Sequence, residues 1–143
     1  MTDERDIHDL SSELRASVFR LARRLRAEKA DDGLTDGQTT VLGVLAVRGD
    51  QTLSQLSEIE RVTLPSMNRT VNGLVAAGYV ERHPSTDDRR KVLLSLSAGG
   101  HDFVRETRRR RDEWLCGRLE TLPQAQRSAL SEAAAVLQGL ADS

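Results

Sequence analysis

Between Thr52 and Ser97 the chain reads TLSQLSEIERVTLPSMNRTVNGLVAAGYVERHPSTDDRRKVLLSLS, and the period of its apolar residues changes inside that stretch. Two helical patterns are separated by a tight turn at Arg61-Val62-Thr63. Two short runs of strand character follow, Tyr79–His83 and Val92–Leu96, with a polar loop from Pro84 to Lys91 between them. A period near 3.6 marks helix, and β-branched or aromatic runs bounded by turn residues mark strand.

The chain around this stretch has 143 residues, the size of one domain or of one module with an attached dimerisation layer. At 38% hydrophobic and 30% charged, with three prolines, it has the composition of a soluble helical protein with a core of Leu, Val and Ala. The formal net charge of −1 gives no general pull towards nucleic acid. Any such affinity must come from local arginine clusters, because counterion release depends on the phosphates contacted. A single cysteine, Cys116, excludes an intrachain disulfide, and no Cys/His spacing fits a structural zinc site. The charged opening MTDERDIHDL lacks the regions of a signal peptide, and no run is apolar enough to span a bilayer, so a cytoplasmic protein with no membrane partner is expected.

Before the central stretch, Ile7, Leu10, Leu14, Val18, Leu21 and Leu25 recur at steps of three or four, which predicts a long amphipathic helix from about Asp6 to Glu28. So long a stripe needs a partner surface, from the C-terminal helices, a second subunit, or both. Thr35-Asp36-Gly37-Gln38 fits a capping box opening a second helix that runs to about Val47, with Val41, Leu42 and Leu45 inward. Either Thr52 or Ser54 suits the start of a short third helix burying Leu53, Leu56 and Ile59. After the strands, Ser97-Ala98-Gly99-Gly100 punctuates the chain, and a fifth helix is expected from His101 to about Leu122, its periodicity broken between Val104 and Trp114. Pro123 fits the first turn of a last helix whose stripe is Ala125, Leu130, Ala133, Ala134, Leu137 and Leu140.

The fourth helix, Leu64 to Ala77, opens with Thr63 as cap and Pro65 in its first turn. At 100° per residue, Met67, Val71, Leu74 and Val75 share one side. Ser66, Arg69, Asn72, Gly73 and Ala76 lie broadly opposite, with Asn68 on the flank. A solvated face usually carries Glu and Lys; this one carries Arg and Asn, whose side chains match guanine and adenine edges, among small neighbours that allow close approach to a groove. Gly78 is expected in a left-handed C-terminal cap with Tyr79 covering Leu74. The loop residues Asp87, Asp88, Arg89, Arg90 and Lys91 supply the positive tip between the strands. Helix, turn, reading helix and a two- to three-stranded wing together describe a mainly α, α+β winged helix-turn-helix of six helices.

Five pieces carry a resemblance: LSQL at 53–56, VTLPSMNRTV at 62–71, LVAAGYVER at 74–82, DDRR at 87–90 and SLSAGG at 95–100. In this order and spacing, between terminal helices of this length, the chain resembles the MarR family of bacterial transcription regulators. The resemblance implies a homodimer in which the first and last two helices of each subunit interlace. Residues 1–33 and 99–143 would form that helical dimerisation region, and 34–98 the DNA-binding domain. It implies a major-groove set of Ser66, Asn68, Arg69 and Asn72, with Thr63 and Pro65 near the phosphates. The family's Asp-x-Arg wing pattern falls on Asp88 and Arg90, and Arg89 and Lys91 would serve the backbone. A carboxylate can hold a guanidinium extended for the narrow minor groove. Lys91 stands where members often have a small residue, and Gly73 within the reading helix costs ~1 kcal/mol relative to Ala.

Other features receive plainer readings. The run Arg108-Arg109-Arg110-Arg111 has acids at helical spacing (Glu106 to Arg110, Arg108 to Asp112, Arg109 to Glu113), which fits a solvated, ion-paired face. Cys116 reads as a partly buried structural thiol. His8, His83 and His101 have no ligand spacing, and no nucleophile-base pair or phosphate loop is present, so no metal, cofactor or enzymatic activity is expected. The sequence therefore predicts a DNA-binding transcriptional regulator, a homodimeric repressor on a near-palindromic operator in double-stranded DNA. The resemblance adds release by a small aromatic or amphipathic effector. The competing class is a winged-helix adaptor that meets a protein with the same face.

Overall fold

The computed structural model describes residues 4–143. Helix α1 (Glu4–Arg26) leads through a polar linker to α2 (Asp36–Arg48), a two-residue strand β1 (Gln51–Thr52) and α3 (Leu53–Glu60). Then come α4 (Leu64–Ala76), the hairpin β2 (Val80–Pro84) and β3 (Val92–Leu96), and the helices α5 (Ala98–Leu119) and α6 (Gln124–Ala141). The sheet order is β1-β3-β2, all antiparallel, so the short strand before α3 supplies the third member of the wing. Among the described residues no helix is long and apolar enough to cross a membrane.

Side-chain caps set most of these boundaries. Thr35 accepts from the Gln38 backbone N–H at 3.1 Å, while Gln38 accepts from the Thr35 N–H at 2.9 Å. The same reciprocal box opens α3, from Thr52 rather than Ser54, through Gln55 at 3.2 and 2.8 Å. Each box satisfies two backbone donors that a bare helix start would leave unpaired. Thr52 also pairs with Leu93 in the sheet, which ties the start of α3 to the wing.

α4 ends in a Schellman motif, with Tyr79 N–H donating to Leu74 O at 2.9 Å and Gly78 N–H to Val75 O at 3.0 Å. Gly78 has φ +84°, the left-handed conformation that favours glycine. β2 consequently starts at Val80, one residue later than the strand pattern places it, and Pro84 ends it on the sheet's outer strand.

The Gly99-Gly100 pair is not a break. Ser97 caps α5, accepting from Gly100 N–H at 3.0 Å, so both glycines lie in the first turn. A Cβ on Gly100 would collide with the carbonyl oxygen of Tyr79, and one on Gly99 would sit 3.3 Å from Gly78 O. The glycines are there because two backbones touch.

The core gathers Leu34 from the linker, Val41, Leu42 and Leu45 of α2, Leu56 of α3, and Met67, Val71 and Leu74 of α4. Val80, Leu94, Phe103 and Val104 close it from the wing and α5. Leu and Val dominate as composition predicts, joined by Met67 and Phe103, and no alanine is fully buried among the described residues. Leu53 and Ile59 are only half-buried; Ser57 is the second buried residue of α3, its hydroxyl returned to Leu53 O at 2.9 Å.

The arginine run of α5 is not a uniformly solvated face. Glu106 pairs with Arg109 at 2.9 Å and Arg110 at 3.1 Å, and Glu113 with Arg109 at 2.9 Å. Arg109 first, then Arg110, holds the Glu106 carboxyl down to about 2. The expected Arg108–Asp112 pair is absent among the described residues, and Arg110 also donates to Lys29 O at 3.0 Å. Arg111, half-buried, donates to Leu25 O and Glu28 O at 3.1 Å each, and burial lowers its pKa. With Thr107 accepting from Ala30 N–H at 3.1 Å, these bonds fasten the end of α1 to α5. The gap in the apolar pattern of α5 is where it grips another helix by polar bonds.

Adding the Gly100 methyl forces two backbones apart, and overpacking of this kind costs about 1–3 kcal/mol. Gly100→Ala is expected to lower the urea midpoint accordingly; an unchanged midpoint would show that the α4–α5 junction yields without cost.

Candidate nucleic-acid interface

Each proposed reading residue has a definite place. Thr63 caps α4, accepting from Ser66 N–H at 3.3 Å, and Pro65 lies exposed in the first turn where its missing N–H costs nothing. Met67, Val71 and Leu74 are buried beneath the helix, whereas Asn68, Arg69 and Asn72 are exposed and Ser66 is half-buried. These side chains therefore occupy the outer edge of a helix held by its inner one.

Gly73 does not belong to that edge. A Cβ there would lie 2.5 Å from Nε2 of Gln38, the residue that closes the capping box of α2. Glycine lets the start of α2 press against α4, which accounts for a residue that is unfavourable in an isolated helix.

The wing tip is shaped by its own polar groups. Ser85 N–H donates to Lys91 O at 2.9 Å and Lys91 N–H to Asp88 O at 3.0 Å, closing the loop. Asp88 Oδ1 accepts from the backbone N–H of Arg90 at 3.0 Å. The expected carboxylate–guanidinium pair between Asp88 and Arg90 is not formed: the short Asp side chain reaches the nearer backbone donor first, as in an Asx turn. Arg89, Arg90 and Lys91 are all exposed. Arg90 and Lys91 also border a cleft of about 440 Å³ with Thr52, Ser54 and Gln55 at the start of α3.

One residue that touches the candidate edge escapes the sequence pattern. Arg82 of β2 donates through its guanidinium to Oδ1 of Asn72 on α4. Strand alternation places Arg82 on the face of buried Val80, but which helix position it meets depends on how β2 returns after Gly78.

The remaining candidates are quiet. His83 Nε2 lies 3.0 Å from Ser95 Oγ and 3.5 Å from Asp50, and no group of His, Cys, Asp and Glu among the described residues could hold a metal ion. Cys116 is exposed rather than partly buried, because it lies on the outer side of α5. The Glu120 carboxylate, 3.6 Å from its sulfur, raises its pKa and keeps the thiol protonated. Trp114 beside it is flanked by the guanidinium groups of Arg118 at 3.7 Å and Arg24 at 4.8 Å.

A groove of about 520 Å³ separates the reading unit from the long helices. Arg26 of α1, Asp36, Thr39, Val44, Val47 and Arg48 of α2, Ile59 of α3, and Arg108 and Arg111 of α5 are among the residues that line it.

A capped helix buried along one side and polar along the other, braced by a three-stranded sheet whose hairpin has an arginine-bearing tip, defines the winged helix-turn-helix class of nucleic-acid readers. The MarR family model matches residues 32–91. An HTH-type transcriptional regulator of Mycobacterium bovis is 39% identical over 133 residues, 93% of each chain. The HTH-type transcriptional repressor YetL of Bacillus subtilis is 29% identical over 96 residues, 63% of this chain and 58% of its own. A solved Pseudomonas aeruginosa structure, assigned to the transcriptional regulators, superposes with a TM-score of 0.86 at 29% identity over 99% of both chains. The chain belongs to the MarR family of HTH-type transcriptional regulators. Membership of this family implies DNA binding, and its members are regulators rather than enzymes.

If Asp88 acts by shaping the loop, Asp88→Asn keeps the acceptor for Arg90 N–H and Asp88→Ala removes it. Hydrogen exchange of the Arg90 amide should accelerate in the Ala variant only. Equal acceleration in both would mean that the carboxylate's charge, not its acceptor, holds the turn.

Proposed function

We propose that the protein is a homodimeric, sequence-reading repressor. Residues 34–98 bind DNA, and 1–33 with 99–143 hold two copies together. The observation that carries the reading is the exposed edge of α4 joined to wing strand β2 through Asn72 and Arg82. Ser66, Asn68, Arg69 and Asn72 enter the major groove, and Arg90 enters the adjacent minor groove. Thr63, Pro65, Arg89 and Lys91 face the phosphates, and Asp88 sets the loop.

Dimerisation is supported by apolar surface that the single chain leaves open. Ile7, Leu10, Leu14, Val18, Phe19 and Leu21 of α1 are 37–61% exposed, and Leu130, Val136, Leu137 and Leu140 of α6 are 37–63% exposed. No residue of α6 is buried. Fully burying a side chain of this size stabilises by about 1.5–3 kcal/mol, so two such stripes strongly favour pairing with a second copy. Two reading helices related by a two-fold axis demand a near-palindromic operator with half-sites about 10 bp apart.

Repression is supported by the likeness to YetL, itself a repressor. Release by an effector is supported by the groove between the long helices and the reading unit. Its Val44, Val47 and Ile59 offer an apolar wall, and its arginines outnumber Asp36, which suits a small amphipathic or aromatic acid. A ligand bound there and the operator must affect each other's affinity reciprocally.

A mobility-shift titration against DNA upstream of its own operon is expected to show sequence preference and a steep fall of affinity with salt. Arg90→Ala should weaken binding by about 1–3 kcal/mol, and Arg69→Ala should relax preference at one base position. A footprint should span both half-sites. An asymmetric footprint of half that length would contradict a dimer, and weak binding alike for all sequences would favour a protein adaptor.

For the effector, a panel of small aromatic and amphipathic acids is expected to contain members that raise the melting temperature and weaken operator binding. A panel in which no acid does both would leave a ligand-independent regulator.

A further inference from the structure

We infer that Arg82 is a positioning residue that makes Asn72 prefer guanine, an assignment that rests on α4 reading the major groove. Asn72 stands on the exposed edge of α4, and its Oδ1 receives the Arg82 guanidinium from β2. Among the described residues this is the hydrogen bond between side chains that joins the reading helix to the wing, and Arg82 forms no ion pair there.

The direction of this bond fixes the amide. A guanidinium has five N–H donors and no acceptor, so the atom it meets must be the oxygen of Asn72, and the two-fold ambiguity of an amide is removed. An unrestrained asparagine reads adenine by accepting from N6–H with Oδ1 while donating to N7 with Nδ2. Here one lone pair of Oδ1 is occupied, and a positive charge stands beside the oxygen to which an adenine amino group would have to donate. The edge formed by Asn72 Nδ2 and the guanidinium presents donors only. Guanine, with acceptors at both O6 and N7, is its complement.

The test is selection of bound sequences from a random DNA pool by the full-length protein and its variants, followed by titration of single-base operator variants. The wild type is expected to prefer guanine over adenine by at least about fivefold at one position of each half-site, the lower end of what a good base contact supplies. Asn72→Ala should erase preference at that position. Arg82→Ala should turn the same position towards adenine and leave the others unchanged. Arg82→Lys, again with donors only, should keep guanine. Arg82→Met, which retains the aliphatic stem without a donor, should behave as Arg82→Ala does and serves if the alanine variant fails to fold.

Equal weakening for all four bases in Arg82→Ala and Arg82→Met would overturn the inference and make Arg82 a phosphate contact. Effects of the Asn72 and Arg82 changes at different positions would overturn it too. A wild type with no sequence preference at any position would defeat the DNA-reading proposal itself, and this inference with it.

Discussion

The close approach of two backbones at Tyr79 and Gly100 is the constraint on which the rest of the molecule depends. The turn that closes α4 lies at Gly78, β2 begins at Val80, and α5 starts against the residue between them. Ser97 holds the approach twice, through its N–H to Tyr79 O at 3.0 Å and its hydroxyl to Gly78 O at 2.5 Å. The Tyr79 ring tilts against Phe103 of α5 with centroids 5.3 Å apart, and its hydroxyl donates to Asp31 at 2.8 Å. That bond lowers the Asp31 pKa and raises that of Tyr79, so the charged acceptor and intact donor coexist across the neutral range. The contribution is complete above the ordinary Asp range. It fades only as pH falls below that range, or as it rises through the elevated tyrosine pKa. One residue thus touches the end of the reading helix, the first turn of α5 and the linker that follows α1.

α1 and α5 are themselves joined. Arg110 and Arg111 cap the carbonyls at the end of α1, and Thr107 binds Ala30 N–H. The linker between α1 and α2 is thus held on both sides, by Thr107 at Ala30 and by Tyr79 at Asp31. The groove of about 520 Å³ lies beside these same arginines, with Arg111 both lining it and capping α1.

A near-neutral chain can still carry a loop with unpaired cations. Its formal charge is −1, and the ion pairs of Glu106 and Glu113 with Arg109 and Arg110 are neutral in sum and lie within α5, away from the wing in sequence. Arg89, Arg90 and Lys91 form no ion pair among the described residues, although Asp87 and Asp88 adjoin them. Asp88 is turned to the backbone instead. Local arrangement decides the charge a phosphate would meet, as counterion release requires.

Order and identity of the elements were legible in the sequence because each depends on nearest neighbours. Thr35 with Gln38, Thr63 with Pro65, and Gly78 after Leu74 state their caps within a few residues, and the periods of α2, α4 and β3 state their buried faces. Most of the candidate reading edge followed from the same angular arithmetic. What only the tertiary structure decided involves pairs distant in sequence. Gly73 yields to Gln38, Gly100 to Tyr79, Arg111 turns from solvent to α1, and Arg82 finds Asn72. A lone glycine or arginine does not show its partner, because a missing methyl or a long flexible cation is compatible with many neighbours. Only the packed backbone selects one.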